Sequence, residues 1–182
     1  MNYVFKNQVI RFLLSIIPNA NTRSKIMKRI NYFAEMGNNV FFQPRHLPAD
    51  PKFIKFHNNI AVASGVTFIT HDVLHYVLNR VGDDHSFTSH LGCIEIMDNV
   101  FIGANSIIMP DVRIGPNTII AAGSVVTKDV PGGGIVAGIP GKRIGSFDDI
   151  MERRRHEEKQ TYSNRNEAVK PEWEKFYNKR KN

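Results

Sequence analysis

The stretch VTFITHDVLH (residues 66–75) carries a β-branched run up to His71, sets Asp72 beside it and closes on His75. Imidazole is the side chain whose ordinary titration lies nearest neutrality. A histidine fixed at the edge of a rigid element can therefore take a proton from a hydroxyl. Asp72 has two readings, a carboxylate that orients His71 or a cap on the start of a loop. His75, His85 and His90 follow within twenty residues, as acceptor contacts or as loop packing. His85 and His90 also have a His-x4-His spacing, which with a third ligand could hold zinc. His46 and His57 do not fall in register to supply that ligand, so no metal is expected. Farther along, Thr127-Lys128 and Lys142-Arg143 flank the glycine-rich run PGGGIVAGIPG, where cations suit an anionic small molecule.

These residues need a scaffold, and the repeats supply one. Ile96, Ile102, Ile108, Ile114, Ile120 and Val126 recur every six residues. Two positions before each stand Ile94, Val100, Ser106, Val112, Thr118 and Ser124, all small or β-branched. Turn residues such as Asp98-Asn99, Pro110-Asp111 and Pro116-Asn117 fill the gaps. Each hexad reads as a very short strand and a tight turn with one inward aliphatic side chain. No coil buries its own face, so coils must stack into one continuous core. The register recurs upstream as Val40/Phe42, Ile54/Phe56, Ile60/Val62 and Val66/Phe68, with PRHLPADP bulging from one corner. It lapses after Phe68 and resumes at Ile94, leaving an excursion loop over about 70–93. A long loop inside a solenoid is usually functional. His71 stands where coil gives way to loop.

The flanks are helical. Phe5, Val9, Phe12, Leu13 and Ile16 share one face of a first helix that breaks at Pro18-Asn19, and this face is expected to pack on the body or on a partner. A second helix is expected over roughly Thr22 to Met36, capped at Gly37. The tail from Phe147 is charged and helical, with Pro171 interrupting it before Trp173, Phe176 and Tyr177. The segments are therefore 1–38 (helical), 39–145 (repeats) and 146–182 (tail).

At 182 residues and 42% hydrophobic, the chain suits one domain with a small appendage. Its one cysteine, Cys93, excludes an internal disulfide and fits a reducing compartment. A cytoplasmic location is expected, with Cys93 in the core rather than acting as a nucleophile. A net charge of +7 admits nucleic acid, an anionic membrane surface or a small anionic cofactor. No stacking motif, zinc finger or recognition helix is present, so nucleic acid is not expected. The apolar run Val9 to Ile17 is too short to span a membrane and carries Arg11. Arg11, Arg23, Lys25, Lys28 and Arg29, with Lys6, would suit peripheral membrane association.

The hexads, the loop opening with ITHD, the segment AAGSVVTKDVP and the run AGIPGKRI together resemble the left-handed β-helix acyltransferases. The closest likeness is to sugar and capsular-polysaccharide O-acetyltransferases of the maltose, galactoside and nodulation type. The resemblance covers about Val40 to Gly145. It implies a mainly β fold, a left-handed parallel β-helix of three hexads per coil, assembled as a homotrimer with active sites between subunits. It implies acetyl-CoA as co-substrate and a sugar or polysaccharide acceptor, with His71 as general base in a ternary complex. Backbone amides at Gly103-Ala104 would meet the thioester carbonyl, Ala122 the pantetheine arm, and Thr127, Lys128, Lys142 and Arg143 the nucleotide end. Small residues at the turns would let the cofactor approach the backbone. Gln43 and Arg45, with His75 and His90, match acceptor contacts. An amino-sugar N-acetyltransferase is the runner-up. A zinc protein like the γ-type carbonic anhydrases, and a non-catalytic scaffold, are the remaining alternatives.

Overall fold

A computed structural model describes residues 3–81, 85–157 and 162–180, with side chains from residue 7 onward. Residues 82–84 of the excursion loop and the side chains of Phe5 and Lys6, invoked above, lie outside the described set. The chain divides into two compact units, Met1–Asp149 and Ile150–Asn182.

The first unit opens with α1 (Tyr3–Ser15) and α2 (Ala20–Arg29). Short strands follow: β1 (Glu35–Met36), β2 (Val40–Phe42), β3 (Ile54–Phe56), β4 (Ile60–Val62) and β5 (Thr67–Phe68). The excursion loop carries α3 (His75–Leu78). The coils then resume as β6 (Ile94–Ile96), β7 (Val100–Ile102), β8 (Ile107–Ile108), β9 (Val112–Ile114), β10 (Thr118–Ile120), β11 (Val125–Val126) and β12 (Gly134–Ala137). The last strand is β13 (Lys142–Ser146), and α4 (Phe147–Arg155) follows it. Three sheets form the faces of the solenoid, in orders β1-β3-β6-β9, β13-β12-β10-β7-β4-β2 and β11-β8-β5. Every pairing is parallel except β12 with β13. This is the hexapeptide architecture that the spacing calls for.

The inward aliphatic series is fully buried, with Ile96, Ile102, Ile108, Ile114 and Ile120 at 0% exposure. Each contributes about 1.5–3 kcal/mol relative to an exposed side chain. The polar members of the second series are buried too, and each hydroxyl is satisfied locally. Ser106 Oγ donates to the Gly103 and Ala121 carbonyls (2.8 and 3.0 Å), and Ser124 Oγ to the Ala121 carbonyl (2.7 Å). At the N-terminal end Phe33, Phe42, Phe56 and Phe68 fill the wider coils with edge-to-face and stacked pairs.

The corners turn at asparagine. Asn39, Asn59, Asn99 and Asn117 all have φ between +52° and +60°. Asparagine tolerates this left-handed region better than other residues bearing a Cβ. Their side chains form a ladder, Asn59 Nδ2 donating to Asn99 Oδ1 (2.7 Å) and Asn99 Nδ2 to Asn117 Oδ1 (2.9 Å).

Four details differ from expectation. The second helix ends at Arg29, not near Met36. Asn31 adopts φ +51°, the Tyr32 N–H returns to the Met27 carbonyl (2.9 Å) and the Asn31 N–H to that of Lys28 (3.1 Å), a Schellman closure. The chain leaves the helix there because Tyr32 and Phe33 plug the core and Glu35–Met36 pair with β3. The expected apolar face of the first helix does not pack on the body: Leu14 is buried and Ile10 and Ile17 pack on the core, while Val9, Phe12, Leu13 and Ile16 are exposed. Arg23 is not part of a basic surface; it is 1% exposed. Cys93 is exposed rather than in the core.

In the second unit the expected interruption at Pro171 does not occur: α5 (Arg165–Asn178) runs through it, without the backbone hydrogen bond that Pro171 cannot donate. Trp173 contacts Phe176 and Tyr177 at ring separations of 5.3 and 5.7 Å, and Arg180 stacks on Phe176. A concavity of about 950 Å³ lies along this helix, where none of the candidate chemical residues falls.

A charged ladder crosses one face of the coils. Glu95 accepts from His57 Nε2 (3.0 Å) and from Arg113 Nε (2.7 Å). These bonds, His57 first, hold its carboxyl below the ordinary range. A carboxyl depressed in the folded state stabilises above its unfolded pKa, and that stability is lost as pH falls. The difference in urea midpoint between wild type and Glu95→Gln is therefore expected to be constant near neutrality. It should shrink as pH falls below about 4.3. A difference that is the same at both ends would show that the ladder does not stabilise the fold.

Candidate active site

His71 sits at the neck of the excursion loop. It forms an antiparallel bridge with Leu91. The Gly92 N–H donates to the Thr70 carbonyl (2.8 Å) and the Asp72 N–H to the His90 carbonyl (3.2 Å), so departing and returning chains are stapled together. The half-buried ring places Nδ1 2.7 Å from Asp50 Oδ2, which also accepts from Thr70 Oγ1 at 3.1 Å. An ionised carboxylate can only accept, so the ring proton lies on Nδ1 and Nε2 keeps its lone pair. That is the tautomer able to take a proton from a hydroxyl. A cleft of about 240 Å³ opens at His71, walled by Arg11, His46, Leu47, Pro48 and Phe68 among others.

Asp72 is not the carboxylate on the ring. Its Oδ1 accepts from the Leu74 N–H (3.1 Å) and caps the turn into α3. Adjacent side chains at the loop neck diverge, and Asp50 takes the orienting position from the coil below. Sequence reasoning missed Asp50, which lies in the irregular bulge. The register could have found it: Val40 pairs with Ile60 and Phe42 with Val62, an offset of 20. The same offset carries Asp50 onto Thr70.

Gln43 and Arg45 are exposed and line a depression of about 650 Å³ with Arg23, Phe41, His46 and Ser64. His46 belongs to both this depression and the cleft at His71, so the two adjoin. His75 is in α3, its ring against Tyr76 at 4.8 Å and its buried Nδ1 without a hydrogen-bond partner among the described residues. His90 Nε2 lies 2.6 Å from Asp111 Oδ2 and pins the returning chain to the next coil. His85 lies 5.5 Å from the Phe87 ring. Among the described residues no group of three His, Cys, Asp or Glu side chains could hold a metal ion.

The turns at Gly103-Ala104 and Ala122 stack on adjacent coils. The Gly103 N–H is used by the ladder, donating to the Ile120 carbonyl (2.8 Å). A Cβ at Gly103 would lie 2.4 Å from the Ala122 nitrogen, so glycine there serves close stacking rather than access for a ligand. The Ala104 and Ala122 N–H groups have no acceptor among the described residues, and Ala122 is exposed. Thr127, Lys128, Lys142 and Arg143 come together in one cleft of about 380 Å³, walled by the exit turn. Arg143 is held by the Gly133 and Gly145 carbonyls (3.1 and 3.3 Å). Lys128 and Lys142 are exposed.

Residues 94–128 match the family model "Bacterial transferase hexapeptide (six repeats)". Galactoside O-acetyltransferase of Escherichia coli is 36% identical over 101 residues, 55% of this chain and 47% of that protein. A Staphylococcus aureus 2,3,4,5-tetrahydropyridine-2,6-dicarboxylate N-acetyltransferase is 45% identical over 60 residues, 33% of this chain and 25% of that protein. The chain thus spans about half the length of the first relative and a quarter of the second. A galactoside acetyltransferase solved in complex with coenzyme A superposes with a TM-score of 0.57 at 22% identity, covering 87% of this chain and 86% of that one. Residues 94–128 thus carry bacterial transferase hexapeptide repeats, and the chain shares the fold of the galactoside acetyltransferase structure.

Proposed function

We propose that the protein is an acetyl-CoA-dependent O-acetyltransferase acting on a hydroxyl of a sugar or polysaccharide precursor. The observation that carries this reading is the Asp50–His71 pair at the loop neck, with Nε2 of His71 left to act as a base. His71 Nε2 accepts the proton of the acceptor hydroxyl as its oxygen attacks the thioester carbonyl. The unpaired Ala104 N–H suits the oxyanion that develops. As the C–S bond breaks, the thiolate takes the proton back from the imidazolium, so no acyl-enzyme is required. The cleft of Thr127, Lys128, Lys142 and Arg143 supplies the cations that the phosphates of CoA need. The exposed apolar face of α1 offers a surface for assembly, in keeping with a trimer whose sites lie between subunits. No helix among the described residues is long and apolar enough to cross a membrane. We place the protein in the cytoplasm, beside its acetyl donor, with α1 available for peripheral contact with a membrane.

The similarity to an N-acetyltransferase keeps amine acceptors in the same test. Acetyl-CoA consumption is measured against matched hydroxyl and amino sugars and bacterial polysaccharide fragments. Transfer to hydroxyl acceptors, with ester products labile to mild base, is the expected result. Base-stable amides alone would replace the reading by N-acetylation, and no turnover with any acceptor would defeat it.

A further inference from the structure

We propose that the acceptor carries an anionic group, a carboxylate or a phosphate ester, seated against the exposed Arg45, with the buried charge of Arg23 behind it, in the depression of about 650 Å³ beside His46. This rests on the acyl-transfer reading and names the class of acceptor it would use.

Four observations converge. The depression is lined by Arg23, Arg45, His46, Gln43 and polar residues of the α2 entry, with no Asp or Glu on its wall. Arg23 is buried and its terminal nitrogens donate to three carbonyls, those of Ile17 (2.6 Å), Phe42 (3.1 Å) and Gln43 (2.6 Å). These neutral acceptors orient the guanidinium without cancelling its charge, and its buried Nε has no acceptor. Arg45 adds a second positive charge close by; burial first and then Arg45 lower the pKa of Arg23. Two neighbouring cations without a counter-charge raise the local potential and favour an anion. The N-terminal turn of α2, capped by Asn19, turns its positive end to the same space.

Position ties this depression to the chemistry. The segment from Gln43 through Ala49 walls both recesses, and the next residue, Asp50, holds His71. Arg45 and Asp50 are five residues apart, so even fully extended chain separates them by no more than about 18 Å. Because His46 walls both recesses, an acceptor that offers a hydroxyl to His71 Nε2 can extend into the depression that Arg45 lines. A guanidinium pairs with a carboxylate or phosphate through two parallel hydrogen bonds, which fixes orientation as well as charge.

The test compares three glycosides of one hexose: neutral, oxidised to the 6-carboxylate, and 6-phosphorylated. Full-length wild type is expected to show a KM for at least one charged acceptor about tenfold or more below that for the neutral one. Arg45→Gln should raise the charged-acceptor KM by roughly tenfold to a hundredfold and erase the preference for the charged over the neutral acceptor. The carboxylate and phosphate arms identify which anion is meant. Equal KM values across the three acceptors, or an Arg45→Gln effect alike on all, overturns the inference while leaving acetyl transfer in place. Calorimetric titration with the charged glycosides in the presence of CoA decides the matter independently of turnover. Binding that Arg45→Gln abolishes supports the anion seat even if no transfer is detected, and no binding by wild type overturns it.

Discussion

His71→Ala lowers kcat by about 10²–10⁴-fold, the range a positioned general base supplies, with little change in the KM for acetyl-CoA. The split follows from geometry. His71 sits at the loop neck, whereas the basic cleft that suits CoA is built from the exit turn beyond β11. On the proposed mechanism, removing the imidazole leaves the hydroxyl proton without an acceptor and leaves the basic cleft untouched. Stability is expected to change little, because the ring is half-buried and the neck is stapled by backbone bonds of Thr70, Asp72, His90 and Gly92. Steady-state kinetics on protein whose oligomeric state is verified checks the result. Near-wild-type turnover from the alanine variant would remove His71 from the chemistry, and with it the proposed mechanism.

The second large effect belongs to Asp50. In Asp50→Asn the amide nitrogen can donate to Nδ1, which moves the ring proton to Nε2 and blocks the base. Loss of a group that orients a functional histidine costs about 10- to 100-fold in outer-shell cases. Where a carboxylate fixes the tautomer of a catalytic triad, the loss reaches about 10⁴-fold. We expect Asp50→Asn to fall between these limits, on kcat rather than on KM. Asp50→Glu should recover part of the loss, since a carboxylate remains in reach. Asp72→Asn should keep near-full activity, because Asp72 serves the Leu74 N–H. A merely structural Asp50 would instead lower the urea midpoint in both of its variants and show no recovery of kcat with glutamate.

The core was readable from sequence almost residue by residue. A six-residue period with one inward side chain per hexad admits one register, and that series from Phe42 to Val126 is buried as read; the series two positions before it is buried as well. Periodicity was weaker where both sides of an element are apolar. The α1 segment has one apolar set at Val9, Phe12, Leu13 and Ile16 and another at Ile10, Leu14 and Ile17, and spacing alone does not say which meets the core. The second helix was read too long because Gly37 offers a helix stop, while the chain already closes the helix at Asn31 and tertiary packing makes Tyr32 and Phe33 a plug at the end of the stack. Asp50 was missed for another reason. It lies in a proline-rich bulge where local pattern fails, and its role appears only when one coil is placed on the next. The basic cleft is the opposite case: its four residues were named from two separate segments, and the exit turn folds them together.

The ends of the stack carry a consequence of their own. A parallel solenoid exposes unpaired strand edges above and below, and such edges invite growth by addition of further molecules. Here both ends of the six-stranded face are occupied. Below, Arg23 and Ser24 of α2 take the Phe42 carbonyl and N–H, so the β2 edge is quenched by side chains. Above, β13 lies antiparallel on β12 and breaks the repeat's own polarity, so a second molecule finds no matching parallel edge. The hydrogen bonds that fix the Arg23 guanidinium thus also occupy part of the β2 edge, where a further parallel strand would otherwise add.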